Sequence, residues 1–246
     1  MDHINEAFSM DTERRDEIAA NVAAVEARIS AACERSGRDR SEVTLIAVSK
    51  TKPVSDIYGA MDAGMTYFGE NKVQELTGKM DTIGDGVHWH MIGHLQKNKV
   101  KYIVGRVELI HSVDCVELAE KIQSEAEKKS VNVDILVEVN VAREESKFGI
   151  TTEEAIALVE KIAKFPNIHI KGLMTIAPFT DDPEENRPYF RNLKKLAVDI
   201  KSKNIDNVTM SILSMGMTGD YEVAVEEGAT MVRVGTGIFG ERNYDH

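Results

Sequence analysis

The chain has 246 residues, of which 42% are hydrophobic, and its 41 Asp and Glu against 30 Lys and Arg give a formal net charge of −11. An acidic surface of this kind argues against binding to nucleic acids or anionic membranes, which attract Lys and Arg. No apolar run approaches the ~20 residues needed to cross a bilayer, and the N-terminus does not resemble a signal peptide. Cys33 and Cys115 form no disulfide or metal-ligand pattern. We therefore expect a cytoplasmic protein that binds neither nucleic acid nor membrane.

The first predicted element is a long amphipathic helix over about residues 12–35. Apolar side chains recur along it at helical spacing: Ile18, Val22, Val25 and Ile29. Gly37 then supplies a suitable C-terminal stop. This helix precedes the main fold.

Short β-rich runs then alternate with amphipathic helical patterns. The predicted strands are Thr44–Ser49, Thr66–Gly69, His88–Ile92, Val107–His111, Val133–Asn140, Ile168–Thr175, Val208–Leu213 and Thr230–Val234. The predicted helices between them are Val54–Ala63, Asn71–Met80, Leu95–Val104, Val116–Lys129, Thr152–Phe165, Glu184–Lys201 and Tyr221–Glu227. Strands separated by helices indicate parallel βαβ units.

The number and spacing of these units favour one architecture. An open doubly wound sheet is the alternative, but eight units in about 200 residues without a dinucleotide glycine fingerprint favour closure into a barrel. No stretch rich in Pro, Gly or Ser suggests a linker. We predict an α/β fold, a single (β/α)8 TIM barrel with an additional N-terminal helix, spanning residues 1–246 as one domain.

The first candidate functional residue is Lys50, at the end of predicted strand 1. Functional residues of such barrels lie at the C-terminal ends of the strands. Lys50 has the same strand parity as Ile46 and Val48, so it points into the barrel mouth if they do. A lysine held out of water loses its proton more readily and becomes a nucleophile, although most strand-end lysines are simply solvated. Lys52 has the same parity but lies beyond the strand, just before Pro53, and is the weaker candidate.

Two segments rich in small residues follow predicted strands 7 and 8, over residues 214–220 and 233–240. Exposed backbone N–H groups after these two strands are where barrels most often bind phosphate. Strand 8 neighbours both strand 7 and strand 1, so the three span roughly 10 Å. That suits a ligand with a phosphate at one end, an aldehyde at the other and a small flat ring between. Arg233 would face the middle, where it needs a partner such as a ring nitrogen or a neighbouring carboxylate.

The order of several motifs resembles a known family. They are residues 47–53 (Ala-Val-Ser-Lys-Thr-Lys-Pro), 68–71 (Phe-Gly-Glu-Asn), 89–93 (Trp-His-Met-Ile-Gly), 172–175 (Gly-Leu-Met-Thr), 214–217 (Ser-Met-Gly-Met) and 233–236 (Arg-Val-Gly-Thr). In this order, from about residue 12 to residue 244, the chain resembles the YggS/PROSC-like family of proteins that bind pyridoxal 5′-phosphate (PLP). The resemblance implies a fold-type III barrel similar to the N-terminal barrel of alanine racemase.

The resemblance also implies roles for particular residues. Lys50 matches the lysine that holds PLP as a Schiff base, Arg233 the arginine that hydrogen-bonds the pyridine nitrogen, and Asn71 a residue that lines the ring. The phosphate-binding positions are Ser214, Gly216, Gly235 and Thr236. The chain departs from the family pattern at His94, where proline is usual, and at residues 218–220, where a more acidic stretch is usual.

The family is regarded as regulating vitamin B6 balance without an established catalytic activity, and Arg233 agrees with that. An arginine does not give up its proton, so it donates to an unprotonated ring nitrogen and leaves the ring a weak electron sink. The resemblance implies that alanine racemase takes one acid–base group from an additional domain of a partner subunit, which we do not expect here. We therefore favour a monomeric PLP homeostasis protein that releases PLP to PLP-requiring apoenzymes. The alternative is a PLP-dependent amino-acid racemase.

Two further hypotheses concern other side chains at the predicted mouth. Lys147, after strand 5, is a candidate second aldehyde acceptor, although loop lysines are usually only solvated. His88 and His90 share a strand face near His94 and His111, and a His-x-His pair can bind zinc. A cationic Arg233 would oppose a metal there, so we expect none. We expect His90 near the cofactor and His88 packed within its strand.

Overall fold

A computed structural model of the chain describes residues 11–241, which form a closed barrel of eight parallel strands in sequence order, with β1 paired to β8. The strands are β1 (Thr44–Val48), β2 (Tyr67–Glu70), β3 (His88–Met91), β4 (Leu109–Val113), β5 (Val133–Glu138), β6 (Ile168–Met174), β7 (Val208–Met217) and β8 (Met231–Val234). The predicted TIM barrel is therefore confirmed. The two ends of the predicted 1–246 domain, residues 1–10 and 242–246, lie outside the described residues.

Helices cover the outside of the barrel, with one before β1, one after β8 and the others between successive strands. They are α1 (Thr12–Arg35), α2 (Val54–Asp62), α3 (Val73–Ile83), α4 (Val116–Lys129), α5 (Thr152–Ile162), α6 (Arg187–Ser202), α7 (Tyr221–Glu226) and α8 (Thr236–Phe239). Among residues 11–241, none of the helices combines the length and the apolar character that crossing a bilayer requires.

Two predicted helices differ from the observed elements. The segment predicted as a helix over Leu95–Val104 is a 3-10 helix, Lys97–Tyr102, in which only Val100 is buried. Leu95, Ile103 and Val104 at the ends of the predicted segment are also buried, but its middle supplies a single apolar anchor, which is less than the stripe that holds an α-helix against a sheet. The helix predicted to start at Glu184 begins with a separate 3-10 turn, Pro183–Asn186, before α6.

Strand β7 is longer than the sequence pattern predicts. It was expected to end at Leu213 but continues to Met217, because both neighbouring strands extend the ladder. Ser214 pairs with β6 and β8, and Met217 pairs with Arg233 across a register shift. Gly216 lies inside that shift with a φ of +92°, and a Cβ there would approach the Cβ of Ala224 to 2.6 Å. A glycine is required where the strand bulges this close to a neighbour.

The N-terminal helix α1 packs on the outside of the barrel. Its apolar face is buried against α2, α7 and α8, which follow β1, β7 and β8. Asn21 donates from Nδ2 to the carbonyl of Ile238 at 3.0 Å, and Arg14 donates to the carbonyl of Phe239 at 2.7 Å. The helix therefore fixes the position of α8, the first turn after β8.

Candidate functional site

A cavity of about 380 Å³ opens at the C-terminal end of the barrel. Five of the predicted site residues line it: Lys50, Asn71, Arg233, Gly235 and Thr236. They come from the ends of β1, β2 and β8, three elements that are adjacent in the closed barrel. Barrel closure, rather than proximity in sequence, brings them together.

The other two predicted site residues, Ser214 and Gly216, are not among the residues that line the cavity. Both lie within β7, so the prediction that they belong to a loop is wrong. Ser214 is fully buried inside the barrel, where its hydroxyl contacts Arg233. Met217, Thr218 and Gly219 line the cavity on this side instead. Contact of Ser214 or Gly216 with a phosphate stays a prediction.

Lys50 lies in a tight turn directly after β1. The N–H of Lys52 donates to the carbonyl of Ser49 at 3.0 Å, so Lys50 occupies the second position of a four-residue turn. Lys50 and Val48 both line the cavity, as their shared strand parity predicts. Lys52 also lines the cavity, and its ammonium donates to the carbonyls of Phe239, Gly240 and Glu241. The ammonium of Lys52 therefore binds the C-terminal end of α8.

Arg233 is 4% exposed, and two of its donors bind uncharged acceptors. Nη1 donates to the Ser214 hydroxyl at 2.6 Å, and Nη2 donates to the Thr175 carbonyl at 2.8 Å. Burial lowers the pKa of Arg233 to about 10, although the carboxylates of Asp220 and Glu138 act through space to raise it. At neutral pH the guanidinium is therefore a buried cation whose direct partners are neutral.

A chain of buried hydrogen bonds leads from Arg233 into the barrel. Nδ1 of His111 lies 2.9 Å from the Ser214 hydroxyl, and Nε2 of His111 lies 2.9 Å from Nδ1 of His90. Burial lowers the pKa of His90 to about 3 and that of His111 well below its ordinary value, so both rings are neutral. Because Arg233 only donates, Ser214 accepts from it, and the Ser214 hydroxyl can donate a hydrogen bond to Nδ1 of His111.

Of the four histidines considered as metal ligands, His90 and His111 are buried together, whereas His88 and His94 lie in other environments. His90 is fully buried and does not line the cavity, which corrects its predicted place at the mouth, while its nearness to the cofactor stays a prediction. His88 is about half exposed rather than packed, stacks on Tyr67 with ring centroids 4.6 Å apart and pairs with Glu108. His94 stacks on Phe148 at 4.0 Å. Over residues 11–241, no three His, Cys, Asp or Glu side chains are grouped so as to hold a metal ion.

Several lining residues were not predicted from sequence. Asp220 accepts from Nδ2 of Asn186 at 2.8 Å and from the N–H of Met217 at 2.7 Å, and Asp220 and Asn186 both line the cavity. Asp220 belongs to residues 218–220, which the sequence analysis noted only as less acidic than the family pattern; a carboxylate next to the segment after β7 was the available signal. Phe179 contributes a rim side chain that is 92% exposed. Lys147 also lines the cavity, as predicted, while its role as a second aldehyde acceptor stays a prediction.

Glu138, at the end of β5, is a further buried carboxyl group that the sequence analysis did not select. It is 4% exposed, and burial raises its pKa to about 7, with a further contribution from the charge of Asp114. The charge of Arg233 acts in the opposite direction. The ionisation of Glu138 therefore changes the electrostatic balance beside Arg233 near neutral pH.

Comparison with known proteins defines the class first. Residues 19–243 match the family model of the alanine racemase N-terminal domain. Alanine racemase of Clostridium difficile superposes with a TM-score of 0.72 at 15% identity, covering 94% of this chain and 58% of that chain. At this identity the likeness shows the fold alone, a barrel of the alanine racemase type.

More similar proteins define the family. A pyridoxal phosphate homeostasis protein of Aquifex aeolicus is 47% identical over 218 residues, which cover 88% of this chain and 95% of that protein. PipY of Synechococcus elongatus, in a structure with PLP bound, superposes with a TM-score of 0.78 at 33% identity, covering 91% of this chain and 100% of that chain. The chain belongs to the family of pyridoxal phosphate homeostasis proteins, and its predicted resemblance to the YggS/PROSC-like family is confirmed.

Proposed function

We propose that this protein binds PLP in the cavity at the barrel mouth, holds it as a Schiff base on Lys50 and serves PLP homeostasis. The observation that carries the proposal is that Lys50 and the buried Arg233 line the same cavity. The homeostasis proteins among its relatives and the PLP complex of PipY support it.

The charge of the lining suits a phosphorylated aldehyde. Four cationic side chains line the cavity, Lys50, Lys52, Lys147 and Arg233, whereas Asp220 is its only carboxylate residue within residues 11–241. This local excess of positive charge contrasts with the net charge of −11 for the whole chain. A phosphate dianion is attracted to such a site.

Small residues leave main chain accessible where the phosphate is expected. Gly235 packs so closely on β1 that a Cβ would lie 3.3 Å from the carbonyl oxygen of Val48. Thr236 and Thr218 add hydroxyl groups, and Thr218 accepts from the N–H of Gly237 at 3.3 Å. We assign the phosphate to Gly235, Thr236 and the segment after β7, the aldehyde to Lys50 and the ring to the space beside Asn71 and Arg233.

The surroundings of Arg233 favour holding PLP over transforming amino acids with it. When bound, PLP supplies an aldehyde and a ring that can withdraw electrons. Arg233 remains protonated, so it can only donate to the ring nitrogen, and the neutral Ser214–His111–His90 chain offers no proton at neutral pH. A ring nitrogen without a proton withdraws electrons weakly, which disfavours racemisation. We propose that PLP-requiring apoenzymes receive the cofactor from this protein.

We further propose that residues 1–246 form one PLP-binding domain that acts as a monomer in the cytoplasm. The described part of the chain already closes all eight strands into one barrel. Both cysteines, Cys33 and Cys115, carry free thiols, which suits a reducing compartment. Sedimentation of the purified protein tests the monomer directly, and a stable dimer would contradict it.

Reductive trapping tests the proposed site. Protein loaded with PLP is expected to be yellow, to bleach on borohydride reduction and to carry one phosphopyridoxyl group on the Lys50 peptide in mass spectrometry. Lys50→Met should lose this label, whereas Lys147→Met, which removes another lysine from the same cavity, should keep it on Lys50. A label on a different lysine in the unaltered protein would refute the assignment.

Incubation with single enantiomers separates homeostasis from the racemase alternative. We expect PLP-loaded protein to leave L-alanine and other single-enantiomer amino acids unchanged when the products are resolved by chiral chromatography. Transfer of PLP to a PLP-requiring apoenzyme, followed as recovered activity of that enzyme, should occur in parallel. Robust formation of the opposite enantiomer would favour the racemase.

A further inference from the structure

The turn that carries Lys50 has an unusual backbone. Thr51, at the third position of the Ser49–Lys52 turn, has a φ of +64°, a left-handed conformation that turns of this kind normally assign to Gly or Asn. For a β-branched residue this conformation is strained, and it persists only where surrounding contacts hold it. Because Lys50 is the residue before Thr51, the contacts that hold the Thr51 conformation also bear on the position of Lys50.

A buried lysine on α3 provides one of these contacts. The side chain of Lys79 is 7% exposed, and its ammonium donates to the Ser49 carbonyl, to Oε1 of Glu70 and to Oε1 of Glu75, each at 2.7 Å. An ammonium has three N–H bonds, so all its donors are used. The lysine is thus committed to the turn and to two carboxylates, one from β2 and one from its own helix.

The two glutamates complete the attachment of the turn. Glu75 accepts the N–H of Thr51 at 2.6 Å, so both peptide groups that flank Lys50 are bound to the same cluster. Glu70 accepts the hydroxyl of Ser49 at 2.6 Å. We call Glu70, Glu75 and Lys79 the turn-anchoring cluster.

Burying the cluster is unfavourable for the free energy of folding, which indicates a role beyond stability. Glu70 is fully buried, its Oε2 has no hydrogen-bond partner among residues 11–241, and burial raises its pKa. Buried ion pairs contribute little net stability compared with apolar packing, and a half-satisfied carboxylate contributes less. In exchange, the cluster gives the strained turn one defined conformation.

We propose that the turn-anchoring cluster positions Lys50, holding the Ser49–Lys52 turn in its left-handed form so that the Lys50 amine is presented to the cavity. Glu70, Glu75 and Lys79 act through the turn and do not react with the aldehyde, whereas Lys50 does. The inference rests on the proposed function in so far as Lys50 is the amine that holds PLP. It ties the reactive lysine to α3 and β2, elements that follow it in the chain.

Substitution of Glu75 tests the anchor with limited damage to the fold, since its side chain is 24% exposed. Glu75→Met removes the acceptor for Thr51, and we expect PLP affinity and the rate of borohydride trapping at Lys50 to fall about tenfold or more. Glu75→Gln keeps an acceptor oxygen and should stay within about threefold of the unaltered protein. Glu125→Met is the matched control, because Glu125 accepts from Lys121 at 2.6 Å on the remote α4.

A second substitution tests whether the strained backbone of Thr51 is the reason that the turn needs an anchor. Because glycine adopts a positive φ without penalty, Thr51→Gly removes the need for an anchor. We expect Glu75→Met to have a smaller effect in the Thr51→Gly background than in the unaltered chain. Equal effects in both backgrounds, or equal losses in Glu75→Met, Glu75→Gln and Glu125→Met, would overturn the proposal.

A measurement without PLP separates this inference from the proposed function. Acetylation of the Lys50 amine by acetic anhydride is followed by mass spectrometry as a function of pH, with Lys147 as the internal reference. Glu75→Met should change the pH profile at Lys50 and leave the profile at Lys147 unchanged; unchanged profiles at both lysines would overturn the inference. Absence of a phosphopyridoxyl label on Lys50 in the unaltered protein would instead refute the proposed function.

Discussion

Two buried cations are found at this end of the barrel, Arg233 in the lining of the cavity and Lys79 against the turn that carries Lys50, and the protein surrounds them differently. Lys79, behind the Lys50 turn, is paired with two carboxylates, whereas Arg233 is bound by a hydroxyl and a carbonyl. On the Lys50 side the pairing neutralises the buried charge, so the cluster can serve as a mechanical anchor. On the Arg233 side the charge remains available to a ligand. The difference indicates that Lys79 maintains the geometry of the turn, whereas Arg233 maintains a positive electrostatic potential in the cavity.

The largest expected effect is the loss of the anchored cation. Lys79→Met leaves the buried Glu70 without its counter-charge, and we expect the free energy of unfolding to fall by about 3–5 kcal/mol. The deficit should also depend on pH. Glu70 has a raised pKa when folded, so its protonated form favours folding at low pH and that contribution is lost as the pH rises above the ordinary value of 4.5.

Without the ammonium, which lowers the pKa of Glu70, the loss should extend to higher pH. Urea titrations of Lys79→Met and the unaltered protein at several pH values measure this, and the difference between the two proteins should grow as the pH rises. A deficit that is constant with pH would contradict the account of Glu70, and Lys121→Met controls for the loss of a partly exposed lysine paired to glutamate.

The next effect concerns the carboxyl group that can balance Arg233. The pKa of Glu138 is raised to about 7, so the protonated carboxyl favours folding below its ordinary pKa, and this contribution disappears between about pH 4.5 and 7. Glu138→Gln cannot ionise and should gain about 3 kcal/mol relative to the unaltered protein between pH 5 and pH 8. Thermal unfolding in the absence of PLP measures the gain. If the two proteins have parallel pH profiles, Glu138 is not the titrating group.

The smallest expected effect concerns the neutral hydrogen-bond chain of Ser214, His111 and His90, which supports Arg233. Ser214→Ala removes one acceptor of the guanidinium and the hydroxyl that contacts His111, which should lower the free energy of unfolding by about 1–3 kcal/mol. With a freer Arg233, the absorbance maximum of bound PLP and its pH dependence should also shift. Ser214→Thr keeps the hydroxyl and serves as the control. An unchanged spectrum in Ser214→Ala would show that the chain does not act on the bound ring.

Much of the fold followed from local pattern. All eight strands were predicted, with most boundaries displaced by only one or two residues, because alternating and continuous apolar runs report burial directly. The exception, β7, was ended early because Ser214 and Gly216 resemble loop residues. Its true length depends on pairing with β6 and β8, which no local pattern contains.

The candidate site also contains some residues that the sequence could predict and others that it could not. Lys50 and Arg233 could be selected because strand parity and the C-terminal ends of barrel strands restrict where functional side chains lie. Lys79 could not, because on a helix it looks like any exposed lysine with a glutamate one turn away. Its burial appears only when α3 packs against β2 and β3, next to the turn that follows β1. His90 was misplaced for a related reason, since parity indicates a face but not a depth within the barrel.

The sequence by itself determined the class of fold and the family, and it proposed Lys50 as the reactive lysine, because these inferences depend on residue type, periodicity and the order of motifs. Only the tertiary structure decided how each cation is supported. The partners of Lys79 come from the β1 turn, β2 and α3, and those of Arg233 come from β7 and from the residue after β6. Except for the pair of Lys79 and Glu75 on one helix, these interactions join different elements and form only when those elements pack together; packing also removes the water that would otherwise screen them.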